Sequence, residues 1–228
     1  MKVTSFARLY IPLIFNLETG SMSSEWLKMW DTKFGQEKYA YGTQPNEYLK
    51  AKLETLKPGT ILFGAEGEGR NAVFAAQLGW QVSAFDISEQ GRKKALKLAD
   101  NNKVSIDYKI GELADLGYSP GQFDAIALIY AHFPPNIRSS YHKLLHSYLK
   151  KGGTIIFEAF SKGHLEFKKN NPSVGGPSNL DYLFSIEELK TDFKEYEILE
   201  LKQTTVELNE GDGHAGIGSV IRFLAKKK

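Results

Sequence analysis

Three features of the 228-residue sequence predict an α/β domain with a mostly parallel sheet that ends in an antiparallel hairpin. Short apolar strands alternate with helix-length segments from Thr60 to Phe160. The glycine-rich turn Gly64-Ala65-Glu66-Gly67-Glu68-Gly69 joins the first of those strands to the first of those helices. The alternation then stops, and two strand-like runs close the chain with only Gly211-Asp212-Gly213-His214 between them.

Each element follows from its local pattern. Ser24 precedes Trp26, Met29 and Trp30, the i, i+3, i+4 spacing of a capped amphipathic helix. Tyr39 to Asn46 is too rich in turn residues for a helix; Glu47 to Leu56 resumes a helical pattern that Lys57-Pro58-Gly59 ends. Strands are expected at 60–63, 81–85, 104–110, 123–130 and 154–160, and helices at 71–78, 91–99 and 137–149. Strands separated by helices of this length require crossovers and hence parallel pairing. The irregular stretch 170–179 reads as a loop placed to serve as a lid or substrate wall. The final strands are expected at 196–208 and 219–225.

Composition narrows the chemistry. Hydrophobic residues at 42% and charged residues at 25% are ordinary for a globular domain. With no cysteine there is no disulfide, thiol nucleophile or cysteine zinc site, and five histidines without ligand spacing predict no metal. A net charge of +2 gives no field suited to nucleic acid, and Lys226-Lys227-Lys228 reads as a solvated tail. No run approaches the ~20 apolar residues that span a bilayer. The expectation is a cytoplasmic protein with a small-molecule partner, no membrane or nucleic-acid partner, and an oligomeric state left open by the absence of any heptad. Residues 1–21 are expected to be a leader or disordered extension, and 22–228 a single domain.

The turn at 64–69 carries the chemistry. Glycines there let the backbone turn sharply and approach a ligand, while the N-terminus of the next helix offers free N–H groups. Asp86 ends the second strand, where a carboxylate accepts hydrogen bonds from ribose hydroxyls. The spacing Gly67-x-Gly69-x-x-Ala72 also satisfies a relaxed dinucleotide fingerprint, so an NAD-dependent oxidoreductase stays open at this point. A serine hydrolase is unsupported, since no Gly-x-Ser-x-Gly elbow is present.

Gly67-Glu68-Gly69-Arg70-Asn71-Ala72, Asp86-Ile87-Ser88 and Lys151-Gly152-Gly153 resemble the motifs of class I S-adenosylmethionine (SAM)-dependent methyltransferases. The resemblance is strongest to the small-molecule enzymes of the tellurite-resistance and thiopurine methyltransferase group. It extends to Trp30-Asp31, Tyr41-Gly42-Thr43-Gln44-Pro45-Asn46, Glu158-Ala159-Phe160, Glu210-Gly211 and His214-x-Gly216. It implies a three-layer Rossmann-like fold on a seven-stranded sheet with an antiparallel end, which NAD-binding folds lack. It also implies SAM as cofactor and S-adenosylhomocysteine (SAH) as product.

By this resemblance Gly64, Ala65, Glu66, Gly67 and Gly69, with Arg70 and Asn71, line the methionine and ribose side, and Asp86 holds the ribose hydroxyls. Ile87 packs on the adenine, Ser88 belongs to the cofactor site and reads as a helix cap, Glu112 and Leu113 meet the adenine edge, and Ile129 and Tyr130 form the floor near the methyl group. Tyr39 and Tyr41 belong to a covering segment. Two departures stand out: Phe63 replaces an acid common in the family, and Ala65 replaces a glycine, so the expectation is either that Glu66 or Glu68 substitutes for the acid or that cofactor affinity is low.

Methyl transfer is an in-line displacement that mainly needs alignment and exclusion of water. If the acceptor must lose a proton, the candidate catalytic residues are His132 at the exit of the fourth strand and then His214, with Glu158 and His164 also considered. Tyr130-Ala131-His132-Phe133-Pro134-Pro135 lacks the Asn/Asp-Pro-Pro-aromatic motif of enzymes acting on planar amino groups. The expected acceptor is therefore a small, soft nucleophile such as a thiol or a selenium or tellurium species. The alternative from another class is a SAM-binding sensor or partner module without turnover.

Overall fold

The alternating segments form one sheet of seven strands, in which the third, second, first, fourth, fifth, seventh and sixth strands of the chain lie side by side in that order. The structure, a computed structural model, describes residues 24–228; the expected leader at 1–21 lies outside the described residues. β1 (Thr60–Gly64), β2 (Gln81–Asp86), β3 (Asp107–Ile110), β4 (Phe123–Ile129) and β5 (Leu149–Phe160) run parallel. β6 (Tyr196–Glu210) and β7 (His214–Lys227) form the antiparallel hairpin, with β7 inserted between β5 and β6. The expected Rossmann-like sheet of seven strands with an antiparallel end is therefore observed.

The central strands are apolar on both sides because helices cover both faces. Leu62, Ile126, Leu128 and Phe157 face a core closed by α5 (Pro135–Tyr148) and α7 (Ile186–Asp192). Ile61, Phe63, Ala127 and Ile156 face the other core, closed by α2 (Glu47–Leu53), α3 (Arg70–Gln77) and α4 (Glu89–Asn101). Strand order reverses between β1 and β4, so the carboxyl ends of β1, β2 and β4 open onto a crevice, the usual ligand position in such sheets.

α1 (Ser24–Phe34) lies across this crevice, and only Phe34 on it is buried. It is tied down at Asp31, whose carboxylate accepts from the Ser88 hydroxyl at 2.5 Å and from the Gln90 N–H at 3.2 Å, at the start of α4. Ser88 also caps α4, accepting from the Gly91 N–H at 3.0 Å.

Two differences from the sequence expectation have physical causes. The hairpin strands are longer than expected because Ala215-Gly216-Ile217-Gly218 pairs as strand despite its glycines. That extension sets Glu210 opposite His214. The stretch after β5 also holds α6 (His164–Asn170) and α7, each too short for helical periodicity to emerge in the sequence.

Candidate functional site

The glycine turn leaves β1 through three residues with positive φ: Ala65 at 51°, Gly67 at 60° and Gly69 at 86°. A left-handed Ala65 carries strain that glycine would not. At Gly67 a Cβ atom would come within 2.9 Å of the Phe34 ring, and at Gly69 within 2.5 Å of the Ala95 Cβ, so both glycines are also fixed by packing. Gly69 starts α3. Its neighbour Glu66 turns back so that one carboxylate oxygen accepts from the N–H groups of Asn71 at 2.9 Å and Ala72 at 2.8 Å.

Asp86 closes the turn from β2. Its Oδ2 accepts from Gly67 N–H at 2.9 Å, and its Oδ1 from the N–H groups of Ile87 at 2.8 Å and Ser88 at 3.0 Å. Burial raises the Asp86 pKa above the ordinary carboxylate value, and these three donors oppose that shift. Burial likewise pushes Glu66 up to about 7 against the same kind of backbone donors and the charge of Arg70.

A cavity opens over this turn. Of the residues expected to hold the cofactor, Tyr41, Ala65, Glu66, Gly67, Arg70, Asn71, Asp86, Ile87, Ile129 and Tyr130 line it, as do His132 and His214. The structure does not bring the others to the wall, and each has another role. Tyr39 donates to the Lys94 carbonyl at 3.1 Å and lies against α4. Gly64 sits beneath the wall, where a Cβ would press on Leu128 and Phe85, and Gly69 packs on α4. Ser88 is spent as the α4 cap. Leu113 is wholly buried in the core, and the Glu112 carboxylate accepts from the Tyr141 hydroxyl, so neither reaches the cavity. Of the two substitutes expected for the missing acid at Phe63, Glu66 lines the cavity. Glu68 instead pairs with Lys94 at 2.8 Å and accepts from Ala40 N–H at 2.8 Å.

Sequence reasoning missed the aromatic roof. Trp26, Trp30 and Phe34 of α1 line the cavity, Trp30 stacked on Phe34 at 5.2 Å and Trp26 on Tyr182 at 5.6 Å. Their helical spacing was legible, but it does not say that the apolar face of α1 would cover a ligand crevice instead of the core. With these rings in place the enclosed space is about 100 Å³. A second cavity of about 390 Å³ adjoins the first, walled partly by residues 176–179 of the loop expected to serve as a substrate wall. Trp26, Trp30, Tyr41, Tyr130, His132 and His214 border both cavities.

A buried polar network stands behind this shared wall. Tyr130, at the exit of β4, holds a φ of 54°, an uncommon state for an aromatic residue and a mark of local strain. Its N–H donates to the Glu158 carbonyl at 2.7 Å and its hydroxyl to Glu158 Oε1 at 3.2 Å. Asn46 Nδ2 bridges Glu158 Oε1 at 2.6 Å and Glu210 Oε1 at 3.0 Å, and Arg222 donates to Glu158 Oε2 at 2.6 Å. Glu210 Oε2 lies 3.1 Å from Arg70 Nη2 and 2.8 Å from His214 Nδ1. Burial opposes ionisation of Glu210, but the His214 hydrogen bond and the Arg70 charge outweigh it and hold its pKa at about 2.

Both candidate histidines are therefore neutral imidazoles. Burial lowers the His214 pKa despite Glu210, and it pushes His132 down to about 3. A carboxylate and a carbonyl only accept, so His214 donates Nδ1–H to Glu210 and His132 donates Nδ1–H to the Tyr182 carbonyl at 2.8 Å. His132 Nε2 is buried without a hydrogen-bond partner among the described residues. His164 and Glu158 line neither cavity: His164 packs on Phe160 at 3.9 Å and bonds to the backbone of Gly175 and Ser219.

Residues 61–153 match the family described as methyltransferase domain. Curated relatives named ubiquinone biosynthesis O-methyltransferase, from Xanthomonas campestris pv. campestris, are 26% identical over 147 residues. That match covers 62% of this chain and 59% of the relatives' length. Among solved structures, TehB from Haemophilus influenzae superposes with a TM-score of 0.63 at 19% identity over 89% of this chain and 67% of that one. A SAM-dependent methyltransferase from Anabaena variabilis superposes with a TM-score of 0.65 at 17% identity over 89% and 93%. At these identities the structures speak for the fold, and the family match speaks for the segment that holds the glycine turn and Asp86. Residues 61–153 thus match a methyltransferase domain, on a fold shared with solved SAM-dependent methyltransferases.

Proposed function

We propose that this chain transfers a methyl group from SAM to a small-molecule nucleophile, with residues 22–228 acting as one domain. The observation that carries this reading is the shared wall: Tyr130, His132 and His214 border both cavities, so a donor on the glycine turn and an acceptor next door meet across them. The donor supplies a methyl on a cationic sulfur; as the acceptor's electron pair bonds to that carbon, the carbon–sulfur bond breaks and its electrons stay on sulfur, giving SAH.

The chain's own residues fit such a ligand. Asp86 lines the cavity and has lone pairs beyond its three backbone bonds to receive ribose hydroxyls. Phe85 and Ile87 supply apolar surface for the base. Glu66 is a wall carboxylate suited to the ligand's ammonium group. The space under Trp30 and Phe34 is a fraction of the ~300 Å³ a typical ligand pocket offers, so binding moves the rings of α1 outward.

The nucleophile in this reading is soft, a thiol or a selenium or tellurium species, acting in the cytoplasm. Two imidazoles held below their ordinary pKa make weak bases, and an acceptor that ionises by itself needs none. Where a proton remains, His214 takes it, because Glu210 orients its ring and steadies the imidazolium. The O-methyltransferase relatives make an oxygen nucleophile the competing reading. The test is SAH release from SAM with a panel of thiols, selenols, phenols and amines. Turnover restricted to thiols and selenols supports the soft nucleophile, and turnover restricted to phenols or amines overturns it. Binding of SAM with no product from any acceptor points to a module without turnover.

A further inference from the structure

The second cavity carries an uneven charge. Its wall is aromatic, formed chiefly by Trp26, Trp30, Tyr130, Phe160 and Tyr182, and no Asp or Glu is among its described lining residues. One full positive charge stands in that wall, the Lys33 ammonium contributed by α1. Lys33 Nζ donates to the Tyr41 hydroxyl at 2.6 Å and lies 4.5 Å from the Tyr41 ring centroid and 5.4 Å from that of Trp30. It joins no ion pair among the described residues, although a half-buried ammonium normally finds a carboxylate. Glu68, the acidic side chain whose charge acts on Lys33, is already held by Lys94 at 2.8 Å. Lys168 does not line the cavity; it donates to the carbonyl of Gly176, which does.

Resting on the methyl-transfer reading above, we propose that the second cavity is the acceptor site and selects a small organic anion with an apolar body, whose negative group pairs with Lys33. Burial lowers the Lys33 pKa, with the Glu68 charge opposing and the Lys168 charge adding to the shift, as expected of an ammonium short of counter-charge. An incoming anion supplies that charge, while the aromatic rings remove its apolar body from water. A cationic acceptor meets Lys33 with no carboxylate in the described wall to offset it.

The test uses three probes of one shape and different charge, 2-naphthoate, 2-naphthamide and 2-naphthylmethylamine, titrated calorimetrically into SAH-saturated protein. Naphthoate is expected to bind about tenfold tighter than naphthamide, and the amine not to bind. In Lys33→Gln the naphthoate advantage disappears, naphthamide is unaffected and SAH affinity stays within about twofold of wild type, while Lys33→Arg keeps the preference. Equal binding of the three probes, binding of none, or unchanged naphthoate affinity in Lys33→Gln overturns the proposal. Failure of SAH itself to bind refutes the methyl-transfer reading instead, and the same titration on unloaded protein still tests the charge preference.

Discussion

His214 Nδ1 lies 2.8 Å from Glu210 Oε2 across the turn that joins β6 to β7, and the same oxygen lies 3.1 Å from Arg70 Nη2 beside the glycine turn. One buried carboxylate thus links the end of the hairpin, the start of α3 and a histidine on the wall between the two cavities. Removing its charge disturbs all three.

Glu210→Gln is expected to lower stability at pH 7 by about 3 kcal/mol, because Arg70 stays buried without its anion. The folded-state pKa is depressed, so the stabilisation is fully present above the unfolded value near 4.5 and is lost as pH falls through about 2. Urea titrations from pH 6 to pH 2 therefore show wild type and variant converging in acid. Parallel curves across that range count against the assignment.

Glu66 has the opposite sign. Its folded pKa is raised to about 7 from 4.5, so the folded state holds a proton that the unfolded state has released, and stability falls as pH rises through that window. Glu66→Gln keeps an oxygen to accept from Asn71 and Ala72 and removes the titration. Its stability relative to wild type should increase between pH 5 and pH 7; thermal denaturation at the two values reads this directly.

The roof of the first cavity makes a spectroscopic prediction. Trp26 and Trp30 line the crevice, whereas Trp80 is buried in the core beneath. Addition of SAH changes the intrinsic fluorescence of wild type, and the change is absent from a Trp26→Phe, Trp30→Phe double variant that retains only Trp80. A change that survives in the double variant would place the ligand elsewhere.

The fold was legible in the sequence because the strands of a sheet covered on both faces are nearly continuous apolar runs, as at Ile61-Leu62-Phe63 and Ala125 to Ile129. Punctuation at Gly64 to Gly69 placed the crevice. The antiparallel end was legible from two strands sharing one short turn, though Gly216 and Gly218 hid how far β7 reaches. The site was legible where backbone geometry dictates residue type, at Gly67 and Gly69, and where a strand ends in Asp86. It was not legible where side chains from distant segments converge. Nothing local to Trp30 points to Gly67, and nothing local to Lys33 points to the loop at 176–179. Glu112 and Leu113, expected at the adenine edge by resemblance, accept from Tyr141 and pack in the core respectively, contacts that no local pattern announces.

The central claim is that the glycine turn and Asp86 bind SAM. Its most direct test is calorimetric titration of wild type and Asp86→Asn with SAM, SAH and NADH, with circular dichroism confirming that both remain folded. We predict that wild type binds SAM and SAH but not NADH, and that the substitution weakens both sulfur ligands by about tenfold, the ~1.4 kcal/mol of a charge-assisted hydrogen bond. Binding of NADH without SAH, or SAH affinity unchanged in a folded Asp86→Asn protein, would contradict it.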